Sequence, residues 1–361
     1  MTSTPPPTDA SATSVQWTTL GNASALRALE RALAVGPAHA YLFSGPAGVG
    51  KLTAARDFAA ALNCVADTRP CGRCRSCVDT FAGRHPDFEV VVPGGLCDES
   101  EHRDHADSRE IRICQVRRLE RVLSLTPYAG GRRIIAIDAA DTLRTEAANA
   151  FLKTLEEPPA STVLILITDR EENLPETVRS RCQRIVFRRL ERETVQQALE
   201  ARGAEAGQAE AIAALASGRI GWAFQALTDP ALLAERAAVL DSITRIAHSG
   251  RAQRFAWANI GEGRPAALRE RYLREIAVWE SWWRDILALG AGASEGVTSV
   301  DRMPELAKES KLYAAADVAA FLRALQRTRA YLLENVDVQL ALENLMLDLP
   351  QPRLAGGVDG R

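Results

Sequence analysis

Tyr41-Leu42-Phe43-Ser44-Gly45-Pro46-Ala47-Gly48-Val49-Gly50-Lys51 is the stretch that decides the fold class. Its first four residues form a short apolar run that reads as a buried strand. A glycine-rich loop ending in Lys51 follows. The next residues carry apolar side chains at Ala54, Ala55, Phe58, Ala59 and Leu62, the spacing of an amphipathic helix. Strand, Gly-rich loop, Lys, helix is the context that a phosphate cradle requires. Gly45, Gly48 and Gly50 let backbone N–H groups turn inward. The helix N-terminus adds partial positive charge, and Lys51 supplies a point charge.

Outward from this loop, short apolar runs alternate with helical periods from about Val15 to Phe187. Tyr41–Ser44, Phe88–Val92, Arg133–Ile137, Val163–Ile167 and Ile185–Phe187 are nearly continuous in apolarity and read as buried parallel strands. The helices between them predict an α/β class with a three-layer arrangement. From Arg188 onward no good strand is found. Amphipathic helices are expected at about 191–202, 206–216, 219–227, 230–248, 265–289 and 315–348, with loops at Gly250–Arg264 and Gly290–Gly296. Residues 1–14 are rich in Pro, Ser and Thr and read as a disordered tail; residues 351–361 read as a flexible one.

The chain has 361 residues, 47% hydrophobic and 25% charged, which excludes a globally disordered or fibrous protein. Its 44 Lys and Arg against 46 Asp and Glu give a net charge of −2, so a protein that coats nucleic acid over its whole surface is not expected. No apolar run approaches the roughly 20 residues that span a bilayer, and the first residues do not read as a signal peptide.

Two absences qualify the phosphate loop. A loop that supports hydrolysis carries Ser or Thr directly after the Lys, where the hydroxyl holds Mg²⁺. Leu52 stands there, and Thr53 comes one residue, about 100° of helix, later. Arg133–Asp138 (RIIAID) is an apolar strand ending in a carboxylate, as in a Walker B element. Ala139 and Ala140 follow, where a Glu would activate water. The residues that would meet a nucleotide are therefore Gly45, Gly48, Gly50, Lys51, Thr53 and Asp138. ATP binding stays open, and hydrolysis is not expected.

Cys64, Cys71, Cys74 and Cys77 have the spacing C-x6-C-x2-C-x2-C, which suits a tetrahedral structural Zn²⁺ with no ligand position left for water. Seven Cys, an odd number with four in fourteen residues, fit a metal site in a reducing compartment better than a disulfide framework. Cys97, Cys114 and Cys182 read as ordinary small buried residues. The polar stretch Pro93–Glu110, with Cys97, His102 and His105, reads as a solvated loop insertion; its spacing matches no ligand pattern. Trp279, Trp282, Trp283 and Ile286 fall at i, i+3, i+4 and i+7 and read as a buried stripe. Leu155-Glu156-Glu157-Pro158-Pro159 reads as a helix end with a structural Glu pair. No Ser-His-Asp, paired-carboxylate or GxGxxG signal is present.

Several of these pieces occur together and in order: His39–Phe43 (HAYLF), the four Cys, His85-Pro86-Asp87, Ile111–Leu119 (IRICQVRRL), Asn149–Pro159 (NAFLKTLEEPP) and Ser180-Arg181-Cys182. In this the chain resembles the gamma/tau/delta-prime group of bacterial DNA polymerase III clamp-loader subunits, which are AAA+ proteins. The resemblance covers about residues 15–187; Trp283-Arg284-Asp285 and the last helix match less specifically. It implies an AAA+ domain at 15–187 with a zinc module at about 64–77, a helical lid at 188–240 and a helical collar for oligomerisation at 241–350. It also implies that Arg181 is an arginine finger, reaching in trans to a neighbour's nucleotide.

Members with the zinc module are of two kinds, a motor that hydrolyses ATP and a stator-like subunit with eroded ATPase parts. Leu52 and Ala139 side with the stator-like kind. So does Gly221 in Gly218–Ala223 (GRIGWA), where an active lid carries an Arg; Arg219 is two residues away. The implied partners are the motor (gamma/tau) and delta subunits and, through the complex, the sliding clamp and primer-template DNA. The implied setting is the bacterial cytoplasm, with no membrane. Two rival readings are a gamma/tau-like motor ATPase using Thr53 and a free-standing zinc-dependent DNA-binding protein. The missing Glu after Asp138 argues against the first; the net charge and the AAA+ body argue against the second.

Overall fold

The first half of the chain builds β1 (Ala40–Ser44), β2 (Phe88–Val91), β3 (Arg133–Ile137), β4 (Thr162–Thr168) and β5 (Gln183–Val186) into one parallel sheet of order β2-β3-β4-β1-β5. The computed structural model describes residues 15–97, 108–129, 131–259, 265–334 and 336–353. The expected N-terminal tail, His102 and His105, and residues 354–361 lie outside the described residues.

Side chains alternate across a strand, and the sheet uses both faces. Tyr41, Phe43, Ile134, Ala136, Val163, Ile165 and Ile167 pack against α1 (Ala23–Val35) and α2 (Lys51–Leu62). Leu42, Ile135, Ile137, Leu164 and Leu166 pack on the other side against α4 (Ile113–Ser124) and α5 (Thr145–Glu156). Burial on both faces explains why these strands read as continuous apolar runs, and the expected three-layer α/β architecture is what forms. α3 (Arg75–Phe81) and the one-turn α6 (Glu176–Arg179) complete this half. β5 starts two residues before its expected position because it is an edge strand with only Ile185 buried. Its exposed beginning left no apolar signal.

The second half is helical: α7 (Arg192–Glu200), α8 (Ala206–Ala216), α9 (Ile220–Thr228), α10 (Pro230–Ala247), α11 (Arg251–Ala258), α12 (Pro265–Gly290), α13 (Met303–Glu309), α14 (Ala315–Leu333) and α15 (Val338–Asp348). Three expectations fail here. Arg251–Ala258, read as loop, is a helix. It is too short to show a period, and its Arg254 turns inward to donate to the carbonyls of Ala247, Ser249 and Leu349. α13 was not foreseen. The expected single helix 315–348 is two, and Asp337 begins the second by accepting from the Leu340 N–H at 2.9 Å.

The chain divides into two compact units. One runs to Glu191 and includes Arg219–Gly221; the other holds Arg192–Gly218 and everything from Trp222. Trp279, Trp282, Trp283 and Ile286 are buried in the core of the second unit, as their spacing predicts. Beside them Asp285 is fully buried and accepts from Thr298 N, Thr298 Oγ1 and Ser299 N at 2.8–3.1 Å. Among the described residues no helix is long and apolar enough to cross a membrane.

Candidate functional site

The phosphate loop leaves β1 at Gly45 and enters α2 at Gly50. A Cβ on Gly45 would collide with the carbonyl of Phe187, so only glycine lets β5 and the loop approach this closely. Gly50 caps α2 in the left-handed region at φ 96°. Lys51 is 5% exposed, and its ammonium group donates to Gly45 O at 2.6 Å, Pro46 O at 2.7 Å and Asp169 Oδ1 at 2.7 Å. Asp169, the residue after β4, was not foreseen; it lies 118 positions from Lys51. The Gly221 N–H donates to Gly48 O at 2.8 Å, so Gly221 lies against the loop.

Leu52 is half-buried and packs with the α2 core, while Thr53 is exposed. Asp138 accepts from the Ala139 N–H at 3.0 Å. Burial pushes its carboxyl above the usual carboxylate range, the charge of Asp169 adds to that, and the Ala139 N–H and Lys51 oppose it. Ala139 itself is held at φ 56°. Asp141 is engaged by protein groups: it accepts from Thr168 Oγ1 at 2.9 Å and from Arg170 Nε and Nη2. The loop, Lys51 and Asp138 thus come together, with neither a metal hydroxyl directly after the Lys nor a base after Asp138.

Arg181 lies elsewhere. Tyr41 of β1 pairs with Gln183 of β5, and Ser44 with Val186. Arg181 precedes β5, whereas the phosphate loop follows β1, so in this parallel sheet they occupy opposite strand ends. Three residues of strand already separate those ends by about 10 Å. The guanidinium is partly exposed and donates to Thr177 O at 3.0 Å and Glu156 Oε1 at 2.6 Å. The flanking residues fix its base. Ser180 Oγ donates to Thr177 O, and Cys182 packs into the second core face, where burial pushes its thiol up to about 12.

Cys64 follows the end of α2, Cys71 lies in the loop, Cys74 caps α3 and Cys77 lies in its first turn. Their Sγ atoms all lie within 4.8 Å of one another. Cys71 Sγ accepts from the Cys74 N–H at 3.3 Å, and Cys74 Sγ from the Cys77 N–H at 3.5 Å. Backbone donors from Arg73 and Cys74 bring the Cys71 thiol down to about 6, while burial pushes Cys77 up. Four convergent sulfurs with N–H donors behind them fit one tetrahedral metal ion.

His85-Pro86-Asp87 ties this module to the sheet. His85 Nδ1 accepts from the Asp87 N–H, so the proton sits on Nε2, which faces Ser76 Oγ of α3 at 3.0 Å. Asp87 accepts from the N–H groups of Tyr128 and Ala129 at 2.8 Å and from Arg133 at 3.0 Å. Of the remaining Cys, Cys114 is buried, while Cys97 and Cys182 are only half-buried.

A parallel sheet ordered β5-β1-β4-β3-β2, a phosphate loop between β1 and α2 and a carboxylate after β3 define a P-loop protein of the AAA+ class. The family model described as DNA polymerase III, delta subunit matches residues 21–191. The delta' subunit of Pseudomonas aeruginosa DNA polymerase III is 42% identical over 40% of this chain and 42% of its own. That of Bacillus subtilis is 27% identical over 87% of this chain and 91% of its own. Residues 21–191 thus match the DNA polymerase III, delta subunit family model, and the chain is similar to DNA polymerase III delta' subunits. It spans less than half the length of the Pseudomonas relative and nearly all of the Bacillus one. A gamma subunit-related protein of Thermotoga maritima superposes over 89% of this chain and 97% of its own, with 18% identity and a TM-score of 0.38.

Proposed function

We propose that this chain is the stator-like subunit of a clamp loader. It holds gamma/tau motor subunits and a delta subunit in one assembly and helps place the sliding clamp on primer-template DNA in the bacterial cytoplasm. It donates Arg181 to a neighbour's nucleotide site. The observation that carries this reading is the mismatch within one chain: its own loop lacks the hydrolytic groups, while a solvent-reaching Arg sits at the strand end remote from that loop. A guanidinium supplied in trans stabilises charge on the transferred phosphoryl group and is worth roughly 10³ to 10⁵ in rate. Residues 188–240 act as the lid and 241–350 as the collar. Cys64, Cys71, Cys74 and Cys77 hold one structural Zn²⁺, and the glycines, Lys51, Thr53 and Asp138 are the groups available to ATP.

ATP turnover tests this directly. The purified chain alone is expected to show none. The assembled loader is expected to lose turnover when Arg181→Ala is introduced, with ATP affinity nearly unchanged. The loss is partial, because one of several sites is affected. Steady hydrolysis by the chain alone that vanishes with Lys51→Ala would make it a motor instead.

A further inference from the structure

The Leu155–Pro159 segment carries charge that is misplaced for a helix end. Glu156 is the last residue of α5. The C-terminus of a helix carries partial negative charge, so a carboxylate there is unfavourable unless a cation answers it. Lys153 lies in the same last turn, and the cation that pairs with the carboxylate itself is Arg181, 25 residues on, whose Nη2 donates to Glu156 Oε1 at 2.6 Å while Nη1 donates to Thr177 O. The two side chains are 36% and 51% exposed, so the pair sits where a neighbouring chain can reach it.

We propose that Glu156 is a positioning residue for Arg181: it holds the finger at rest as a neutral ion pair and yields it when a neighbour's phosphate competes. This rests on the reading of Arg181 as a finger. The physical basis is exchange of one anion for another. While paired, the guanidinium presents little net field to a phosphate. The Arg181 side chain is already partly exposed, so the exchange needs no refolding of the loop, which Ser180 and Cys182 keep in place. An exposed pair is weak, so the restraint is modest and release changes turnover by only about two- to fivefold.

The test uses the assembled loader without DNA, carrying Glu156→Gln, Glu156→Asp, Arg181→Ala or Glu156→Gln with Arg181→Ala. Thermal melting of each variant chain checks its folding. At low salt, Glu156→Gln is expected to raise kcat about two- to fivefold with KM for ATP unchanged. The rise is absent when Arg181 is Ala, and Glu156→Asp stays near the parent. Added salt raises the parent toward the Gln variant as the pair is screened. A Glu156→Gln loader that matches the parent, falls below it, or rises equally without Arg181 overturns the proposal. Arg181→Ala tests the underlying reading separately. Parent-level turnover there removes the finger and its restraint together, whereas a fall there with Glu156→Gln inert removes the restraint alone.

Discussion

Lys51 has three protons to donate, and all three are engaged: by two carbonyls of its own loop and by Asp169. A phosphate that enters the loop must take the place of at least one of these acceptors. Asp169 is the one that competes as an anion, and it also repels an incoming phosphate. Asp169→Asn is therefore expected to tighten binding of ATP to the isolated chain by about two- to fivefold, the effect of one half-exposed charge. Titration with a fluorescent ATP analogue reads this out. An affinity equal to the parent's would mean that Lys51 does not meet the phosphates. Asp87 shows the opposite use of a carboxylate. Burial alone would raise its pKa, but the N–H groups of Ala129 and Tyr128 and the Arg133 guanidinium outweigh burial and hold it below the usual range. The unfolded chain binds that proton first as pH falls. The contribution of Asp87 is thus complete above about pH 4 and disappears as the pH drops through its lowered folded value. Asp87→Ala leaves Arg133 buried beside no anion and is expected to cost about 3–5 kcal/mol in urea unfolding at neutral pH.

The four-Cys module cannot stand as a helix and loop alone. α3 has seven residues, too few to persist in water without tertiary support. The core beneath it is small: Ala60, Cys64 and Cys77, with Ala66, Cys71, Cys74 and Phe81 at its edge. A metal ion held by the four sulfurs would supply the cross-links that this core lacks. Protein freed of loose ions is expected to carry about one zinc per chain by elemental analysis. Its removal by a chelator under reducing conditions should lower the melting temperature. A metal-free chain with undiminished thermal stability would count against a structural metal.

At the scale of the molecule, each unit has its own core, and the four-Cys module makes several connections within the first. Val15 bridges to Arg69, His85 reaches Ser76, and Asn63 exchanges two hydrogen bonds with Arg132 at the start of β3. Local openings follow such connections. Zinc removal is therefore expected to speed amide hydrogen exchange at residues 15–19 and 60–92, with the Trp279–Ile286 segment of α12 unchanged. Mass spectrometry of peptic fragments distinguishes this from a global loosening, which would raise exchange in both units.

The sequence by itself determined the first four strands to within a residue at each end, the phosphate loop, the four-Cys cluster, the tryptophan stripe and the missing hydrolytic groups. Each is a local pattern: a period of two or 3.6, a glycine-lysine loop, a fixed ligand spacing, a residue type beside a named carboxylate. A buried parallel sheet strengthens such signals because both faces of each strand must be apolar. The tertiary structure alone decided which charges meet. Lys51 finds Asp169, Arg181 finds Glu156, and Asp57 of α2 accepts from the backbone and hydroxyls of Thr18 and Thr19. It also decided that Arg254 and Asp285 turn inward, which hid α11 and gave α12 a buried acid that no apolar pattern could announce. A charged residue reads as exposed until the chain crossing that supplies its partner is known. Such crossings join positions tens to more than a hundred residues apart, beyond the reach of any local period.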